Sequence, residues 1–226
     1  MSKGFFSLLE ERARQIDSLL CVGLDPHPAE LPEPTAQAAR DLCLRLIEMT
    51  SDVALAYKPN AAFFEAFGAE GWAALKAVIA AVPEGIPVIL DAKRGDISST
   101  AEAYARSTFK ELGADALTIN PYLGYDSIKP FINDPSRGVF LLCKTSNPGS
   151  VDFQDLPLGG ANIPLTLHEK VALAASEWNT QDNIGLVVGA TQPASLQRLR
   201  ELVPDLWFLA PGIGAQGGDL TQALQA

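Results

Sequence analysis

The sequence is poor in cysteine and histidine, has no long apolar run, and carries fewer basic than acidic residues. Each shortage removes a class of protein. The three cysteines, Cys21, Cys43 and Cys143, are scattered, odd in number and never spaced C-x-x-C, which argues against a disulfide frame or a cysteine zinc site. Cys21 and Cys143 lie inside apolar runs and read as buried thiols of a reducing compartment. Of the two histidines, His27 sits between prolines in a loop. His168 begins what looks like H-E-x-x-H, but Ala172 stands where the second histidine is required. No metal site is expected. No stretch approaches the roughly 20 apolar residues of a membrane span, and Met1–Phe6 lacks the apolar core and small-residue cleavage site of a signal peptide. The expected location is therefore the cytoplasm. With 17 basic against 27 acidic residues, the formal charge is −10. The phosphate field of a nucleic acid or an anionic membrane would repel such a chain, although one small phosphate needs only a local site.

What is present is a chain of 226 residues, 47% of them apolar, enough to bury a large core. There are no sequence repeats, but one pattern recurs. Short apolar runs close on Gly, Pro, Asp or Asn: Leu19–Gly23, Val53–Tyr57, Val88–Leu90, Ala116–Ile119, Val139–Cys143, Gly185–Val188 and Trp207–Ala210. They are continuous rather than alternating, as for parallel strands covered on both faces. Helical periodicity lies between them. Leu42, Leu46 and Met49 form one stripe, Trp72, Leu75, Ile79 and Val82 another. Tyr104, Thr108 and Leu112 form a third, capped by Ser98 or Ser99, and Pro193–Leu202 gives a further short helix. This alternation predicts a parallel α/β fold.

Polar residues gather where the runs end: Asp25, Lys58, Asp91 with Lys93, Asn120, Ser146 and Thr191. So many strand ends converge most readily at the C-terminal face of a (β/α)8 TIM barrel. Residues 1–226 are expected to form a single barrel domain. Only seven strand runs are found, against about 250 residues for a typical barrel. The eighth βα unit is therefore expected to be missing from this sequence.

The densest chemistry is Asp91-Ala92-Lys93-Arg94-Gly95-Asp96. Strand alternation puts Asp91 and Lys93 on one side, and Gly95 permits a sharp exit toward Asp96. A lysine between two carboxylates stays charged, while the crowded acids raise one another's energy. The same pattern also fits an ordinary salt-bridged strand end. Lys58 taken alone fits a solvated lysine or a Schiff-base nucleophile, and Asp25 ahead of Pro26 fits a turn. The final motif, Pro211-Gly212-Ile213-Gly214-Ala215-Gln216-Gly217-Gly218, follows the seventh run. It matches G-x-G-x-x-G, but the dinucleotide fingerprint needs an acidic residue about 20 positions on, and the sequence ends first. A phosphate-binding loop of a barrel, built on backbone N–H groups, is the better fit, with a plain flexible turn as the alternative.

In this order, Asp25, Lys58, D-x-K-x-x-D, Thr145-Ser146-Asn147-Pro148-Gly149 and P-G-x-G-A-Q-G-G resemble the orotidine 5′-phosphate decarboxylase family. Lys58–Glu65 and Asp91–Asp96 resemble its second bacterial subtype. The resemblance implies decarboxylation of orotidine 5′-phosphate to UMP without cofactor or metal. It implies that Lys93 protonates C6 of the pyrimidine and that Asp91 lies beside the substrate carboxylate. It further implies a homodimer in which Asp96, with Thr100 near it, comes from the neighbouring subunit. Asp25 and Lys58 would hold the ribose, Ser146 the pyrimidine ring and Gln216 the phosphate. The family's phosphate-binding arginine on the eighth strand has no counterpart here. Three rivals remain at this point: a magnesium-dependent sugar-phosphate lyase of the same barrel superfamily, a Schiff-base aldolase, and a non-catalytic nucleotide sensor.

Overall fold

In a computed structural model, which describes residues 4–159, 165–213 and 217–225, parallel strands and helices alternate along the chain. The strands are β1 (Cys21–Leu24), β2 (Ala56–Pro59), β3 (Ile89–Arg94), β4 (Ala116–Ile119) and β5 (Gly138–Lys144). A short antiparallel pair follows, β6 (Pro157–Leu158) with β7 (Leu165–Thr166), and then β8 (Ile184–Val188) and β9 (Phe208–Leu209). β1 pairs with β2, and β3-β4-β5-β8-β9 pair in that order, all parallel. The bridges Tyr57↔Val88 and Asn60↔Asp91 join the two groups into one wall. This is the α/β sheet of a TIM barrel, with seven barrel strands among the described residues. The expected strands all appear, shifted by a few residues. The second run begins later than its apolarity suggests, because Val53 is still in the turn after a helix and is exposed.

The covering helices are α1 (Phe5–Ile16), α2 (Ala36–Thr50), α3 (Ala61–Glu65), α4 (Gly68–Ala81) and α5 (Ser98–Arg106). They continue with α6 (Tyr125–Ile132), α7 (Leu167–Trp178), α8 (Pro193–Leu202) and α9 (Leu220–Gln225). Two of the sequence-based expectations for these helices need correction. On α2 the buried face is Ala36, Ala39, Cys43 and Ile47, with Leu42 and Leu46 at its margin and Met49 exposed. Small side chains let α2 approach closely, and that beats the larger, more apolar stripe one position away. The N-cap of α5 is Ile97, without a side-chain cap, rather than Ser98 or Ser99. Ser98 is already inside the first turn, at φ 47°.

Along each strand, one face changes character from bottom to top. On β2 it runs from Ala56 to Lys58, on β3 from Ile89 to Asp91, on β4 from Ala116 to Thr118, and on β5 from Phe140 to Lys144. Ala56, Ile89, Ala116, Phe140, Val187 and Leu209 form a separate apolar cluster at the lower end. α1 supplies Phe5, Phe6 and Leu9 to this cluster. Phe6 meets Phe140 edge-on at 5.4 Å and stacks on Trp207 at 6.0 Å. The close fit depends on Gly185: a Cβ there would lie 2.8 Å from the Trp207 carbonyl oxygen and 2.9 Å from the Phe6 ring. α1 thus plugs the floor, leaving the polar upper ends of the strands to face the mouth. Phe6→Ala should cost about 3–5 kcal/mol, because the rigid cluster collapses poorly into the space left. A urea midpoint that falls at constant slope would register this loss.

Candidate active site

Three adjacent strand ends bring the expected charges together. Asp25 directly follows β1, Lys58 is in β2, and Asp91 and Lys93 are in β3. Lys58 Nζ lies 3.9 Å from Asp25 Oδ1 and 3.5 Å from Asp91 Oδ2, while Lys93 Nζ lies 2.7 Å from Asp91 Oδ1. Acid and ammonium therefore alternate in one line across the mouth. Lys93 ends the line half-exposed, at 50%, whereas the Asp91 side chain is 11% exposed. The lysine is thus presented to a ligand, and the carboxylate is held behind it. A cleft beside the line is bordered by Asn60, Glu65, Asp91 and Lys93.

The environments of the two acids differ. Burial pushes the Asp25 carboxyl above the usual aspartate range, and Lys58 offsets this only in part. Burial also pulls Asp91 upward. There, however, the charge of Lys58, the hydrogen bond and charge of Lys93 and the hydroxyl of Thr118 together outweigh it. Asp91 is held below the usual range and stays ionised when most exposed carboxylates have begun to titrate.

Simple strand alternation does not produce the Asp91–Lys93 contact. The β3–β4 register pairs Leu90 with Leu117 and then Arg94 with Ile119, so the intervening residues of β3 bulge. Lys93 sits in the left-handed region at φ 46°, a costly conformation for a residue with a side chain. Gly95 does not make the sharp exit through positive φ. Its importance is close approach, because a Cβ there would lie 3.2 Å from the Asn120 carbonyl oxygen. Arg94 points away from the line, paired with Glu65 of α3 and lying over the Tyr104 ring.

The other expected residues are distributed as follows. Asp96 is half-buried, its carboxylate accepting the Ile97 N–H at 2.8 Å. Among the described residues it pairs with no lysine or arginine, so within one chain Lys93 is not flanked by two acids as the sequence implied. Thr100 is exposed on the first turn of α5. Ser146 follows β5 and packs so tightly against Gly189 that a Cβ there would meet its backbone nitrogen at 3.0 Å. The final glycine loop is pinched by the bridge Ile213↔Gly218, with the Gly218 N–H donating to the Gly212 carbonyl at 2.8 Å. Gln216 lies outside the described residues. His168 is buried and tied to Thr166 and Gln154, while Glu169 completes the N-terminal capping box of α7. Among the described residues no group of acids, histidines or cysteines is arranged to hold a metal. Burial pushes the thiols of Cys21, Cys43 and Cys143 up to about 11, 12 and 12, so they are inert.

The sequence reading missed two polar residues at this face. Thr118 is buried in β4 and hydrogen-bonds Asp91 at 2.8 Å. Lys144 is 1% exposed at the end of β5, held by Asp155 at 2.6 Å and Ser150 at 3.3 Å. Their signal was a polar side chain at the upper end of an otherwise apolar strand, the same signal that marked Lys58 and Asp91.

An acid–lysine line at the mouth of a parallel barrel is specific enough to compare with known proteins. The orotidine 5′-phosphate decarboxylase / HUMPS family model matches residues 18–225. The chain belongs to this family. It is 52% identical over 226 residues to the orotidine 5′-phosphate decarboxylase of Roseiflexus castenholzii, covering 98% of this chain and 82% of that one. Among solved structures, Leishmania donovani UMP synthase superimposes with TM-score 0.92 at 58% identity. All of this chain is covered, but only 48% of the synthase. A putative orotidine-monophosphate decarboxylase of Toxoplasma gondii gives TM-score 0.94 at 45% identity, covering 99% of this chain and 83% of that one. Membership of this family agrees with the barrel architecture built above from strand order.

Proposed function

We propose that this protein decarboxylates orotidine 5′-phosphate to UMP and carbon dioxide, the last step of UMP synthesis, through the line Asp25–Lys58–Asp91–Lys93. The observation that carries this reading is the 2.7 Å pairing of a presented ammonium with a buried, ionised carboxylate. Loss of carbon dioxide leaves an electron pair in an sp² orbital at C6, with no adjacent group to delocalise it. The Lys93 ammonium stabilises that pair as it forms and then donates a proton to C6. Asp91 has a second role, beside the substrate carboxylate. Held ionised, it repels that group in the ground state and loses the repulsion as carbon dioxide departs.

Lys58 and Asp25, one strand and two strands away, hydrogen-bond the ribose hydroxyls. Ser146 holds the pyrimidine and Gln216 the phosphate. Gripping the phosphate far from the reacting bond supplies binding energy that presses the base against the charged line. Asp96 and Thr100 act across a homodimer, each serving the partner's Lys93. The carboxylate of Asp96, which has no lysine or arginine partner among the described residues, and the exposed position of Thr100 support this assignment. The described residues work as one catalytic domain. Three free cysteines are in keeping with a cytoplasmic enzyme, and among the described residues no helix is long and apolar enough to cross a membrane.

The magnesium-dependent lyase reading is weaker on the donor set itself. Lys58 fills the gap between Asp25 and Asp91 with an ammonium, within 3.9 Å of both, where a divalent ion would need a third acid. The test is the fall in ultraviolet absorbance as orotidine 5′-phosphate becomes UMP, followed with excess EDTA. Full activity is expected. Loss of activity in EDTA, restored by magnesium, would favour the lyase-type site.

A further inference from the structure

The bulge that turns Lys93 toward Asp91 needs something to hold it, because Lys93 sits at φ 46° and the β3–β4 ladder is interrupted there. In the interrupted stretch, the regular pairing of Leu90 with Leu117 gives way until Arg94 meets Ile119, and the Ala92 and Lys93 N–H groups turn to a side chain of β4. Both donate to one side-chain oxygen, Thr118 Oγ1, at 3.1 and 3.0 Å. The same oxygen lies 2.8 Å from Asp91 Oδ1. A hydroxyl has two acceptor sites and one hydrogen. With both acceptor sites taken by N–H groups, its hydrogen has one destination, the Asp91 carboxylate. Thr118 is 1% exposed and its bond to Asp91 is buried, so water does not compete for the hydroxyl hydrogen.

We propose that Thr118 is the positioning residue of this active site: its hydroxyl clamps the strained bulge and aims both Asp91 and the Lys93 ammonium. This inference rests on the reading of Lys93 and Asp91 as the reacting pair. It adds that their geometry is set from the neighbouring strand. The β-branched side chain suits the role, since its fixed χ1 allows the hydroxyl little freedom. Thr118 acts through the residues it holds, Asp91 by its hydroxyl and Lys93 by its backbone.

The consequences separate a positioning role from a merely structural one. Thr118→Val keeps the shape and removes the hydroxyl, so two part-buried N–H groups lose their acceptor and Asp91 loses a donor. The value of kcat should fall on the order of 100-fold, the scale of an approximately 1 Å misplacement of a reacting group. KM should change far less, because ribose, base and phosphate contacts lie elsewhere. Thr118→Ser restores the hydroxyl and should recover most of kcat.

A second readout is the pH profile. The charged and titratable groups facing Asp91 are Lys93 on its own strand, Lys58 on β2, Asp25 and Cys21 at β1, and Glu65 across the cleft. β4 contributes only Thr118. Losing that donor raises the Asp91 carboxyl toward the usual range, so the acid limb of kcat/KM should move to higher pH in Thr118→Val and stay in place in Thr118→Ser.

The experiment measures kcat, KM and the acid limb for the wild type, Thr118→Val, Thr118→Ala, Thr118→Ser and Lys93→Ala, with UMP binding by calorimetry as the check on folding. Thr118→Ala removes the hydroxyl without a new apolar contact against the bulge, so it carries the test if the valine variant does not bind UMP. Low kcat with a shifted limb in Val or Ala, rescued in Ser, is the expected result. Wild-type kcat in Val or Ala, or equal impairment in Ser, would overturn the inference while a dead Lys93→Ala left the catalytic reading standing. Turnover by Lys93→Ala would instead overturn the reading beneath it.

Discussion

Lys93→Ala is expected to abolish decarboxylation, by on the order of 10⁴-fold or more, while UMP still binds. The side chain supplies two things at once: positive charge where the electron pair appears, and the proton that quenches it. No neighbour can take over both. Lys58 is already shared between Asp25 and Asp91, and its side chain is only 13% exposed. Arg94 is tied to Glu65 and faces away. The substitution also removes the 2.7 Å partner of Asp91. That carboxylate then keeps only Lys58 and Thr118 against the cost of burial, and its pKa rises. Product binding should survive, because the groups assigned to ribose, ring and phosphate are untouched. The absorbance assay gives turnover and calorimetry with UMP gives binding. Near-normal turnover in a well-folded variant would remove Lys93 from the chemistry.

Mixing two inactive variants should restore activity. If Asp96 serves the partner's site, each site combines Lys93 of one subunit with Asp96 of the other, so the Lys93→Ala and Asp96→Asn homodimers are both nearly inactive. In a mixed dimer the Asp96→Asn chain keeps its own Lys93 and receives an intact Asp96. That is one complete site, and the other site carries both lesions. Activity should return in proportion to the heterodimer formed, as counted by native mass spectrometry. The motive is structural: Asp96 accepts the Ile97 N–H and pairs with no cation among the described residues. A half-buried carboxylate so placed is available to a neighbouring chain. If heterodimers form and stay inactive, Asp96 acts within its own chain.

Much of this architecture was legible in the sequence, because parallel strands covered on both faces appear as continuous apolar runs. The line of charges was legible for a related reason: a lysine or aspartate at the upper end of such a run has no apolar explanation. What escaped the sequence were features set by shape rather than polarity. The floor plug depends on Phe6 fitting against Gly185 and Phe140, and nothing in Phe5-Phe6 announces that partner. The buried face of α2 is built on Ala36, Ala39 and Cys43, so its small side chains lost to a more visible leucine stripe. The bulge at Lys93 was hidden because alternation alone already predicted that Asp91 and Lys93 meet. Thr118, a good strand former inside a strand, looked like nothing more.

The central claim is that Lys93 delivers a proton to the C6 carbanion left by carbon dioxide, without a metal. The most direct measurement is turnover of orotidine 5′-phosphate in D₂O with excess EDTA, followed by proton NMR of the UMP and by carbon dioxide release. Lys93 exchanges its ammonium protons with solvent, so the expected product is UMP carrying deuterium at C6, one per carbon dioxide, formed by the wild type and not by Lys93→Ala. UMP formed equally by both proteins, or formed only after magnesium is added, would contradict the account.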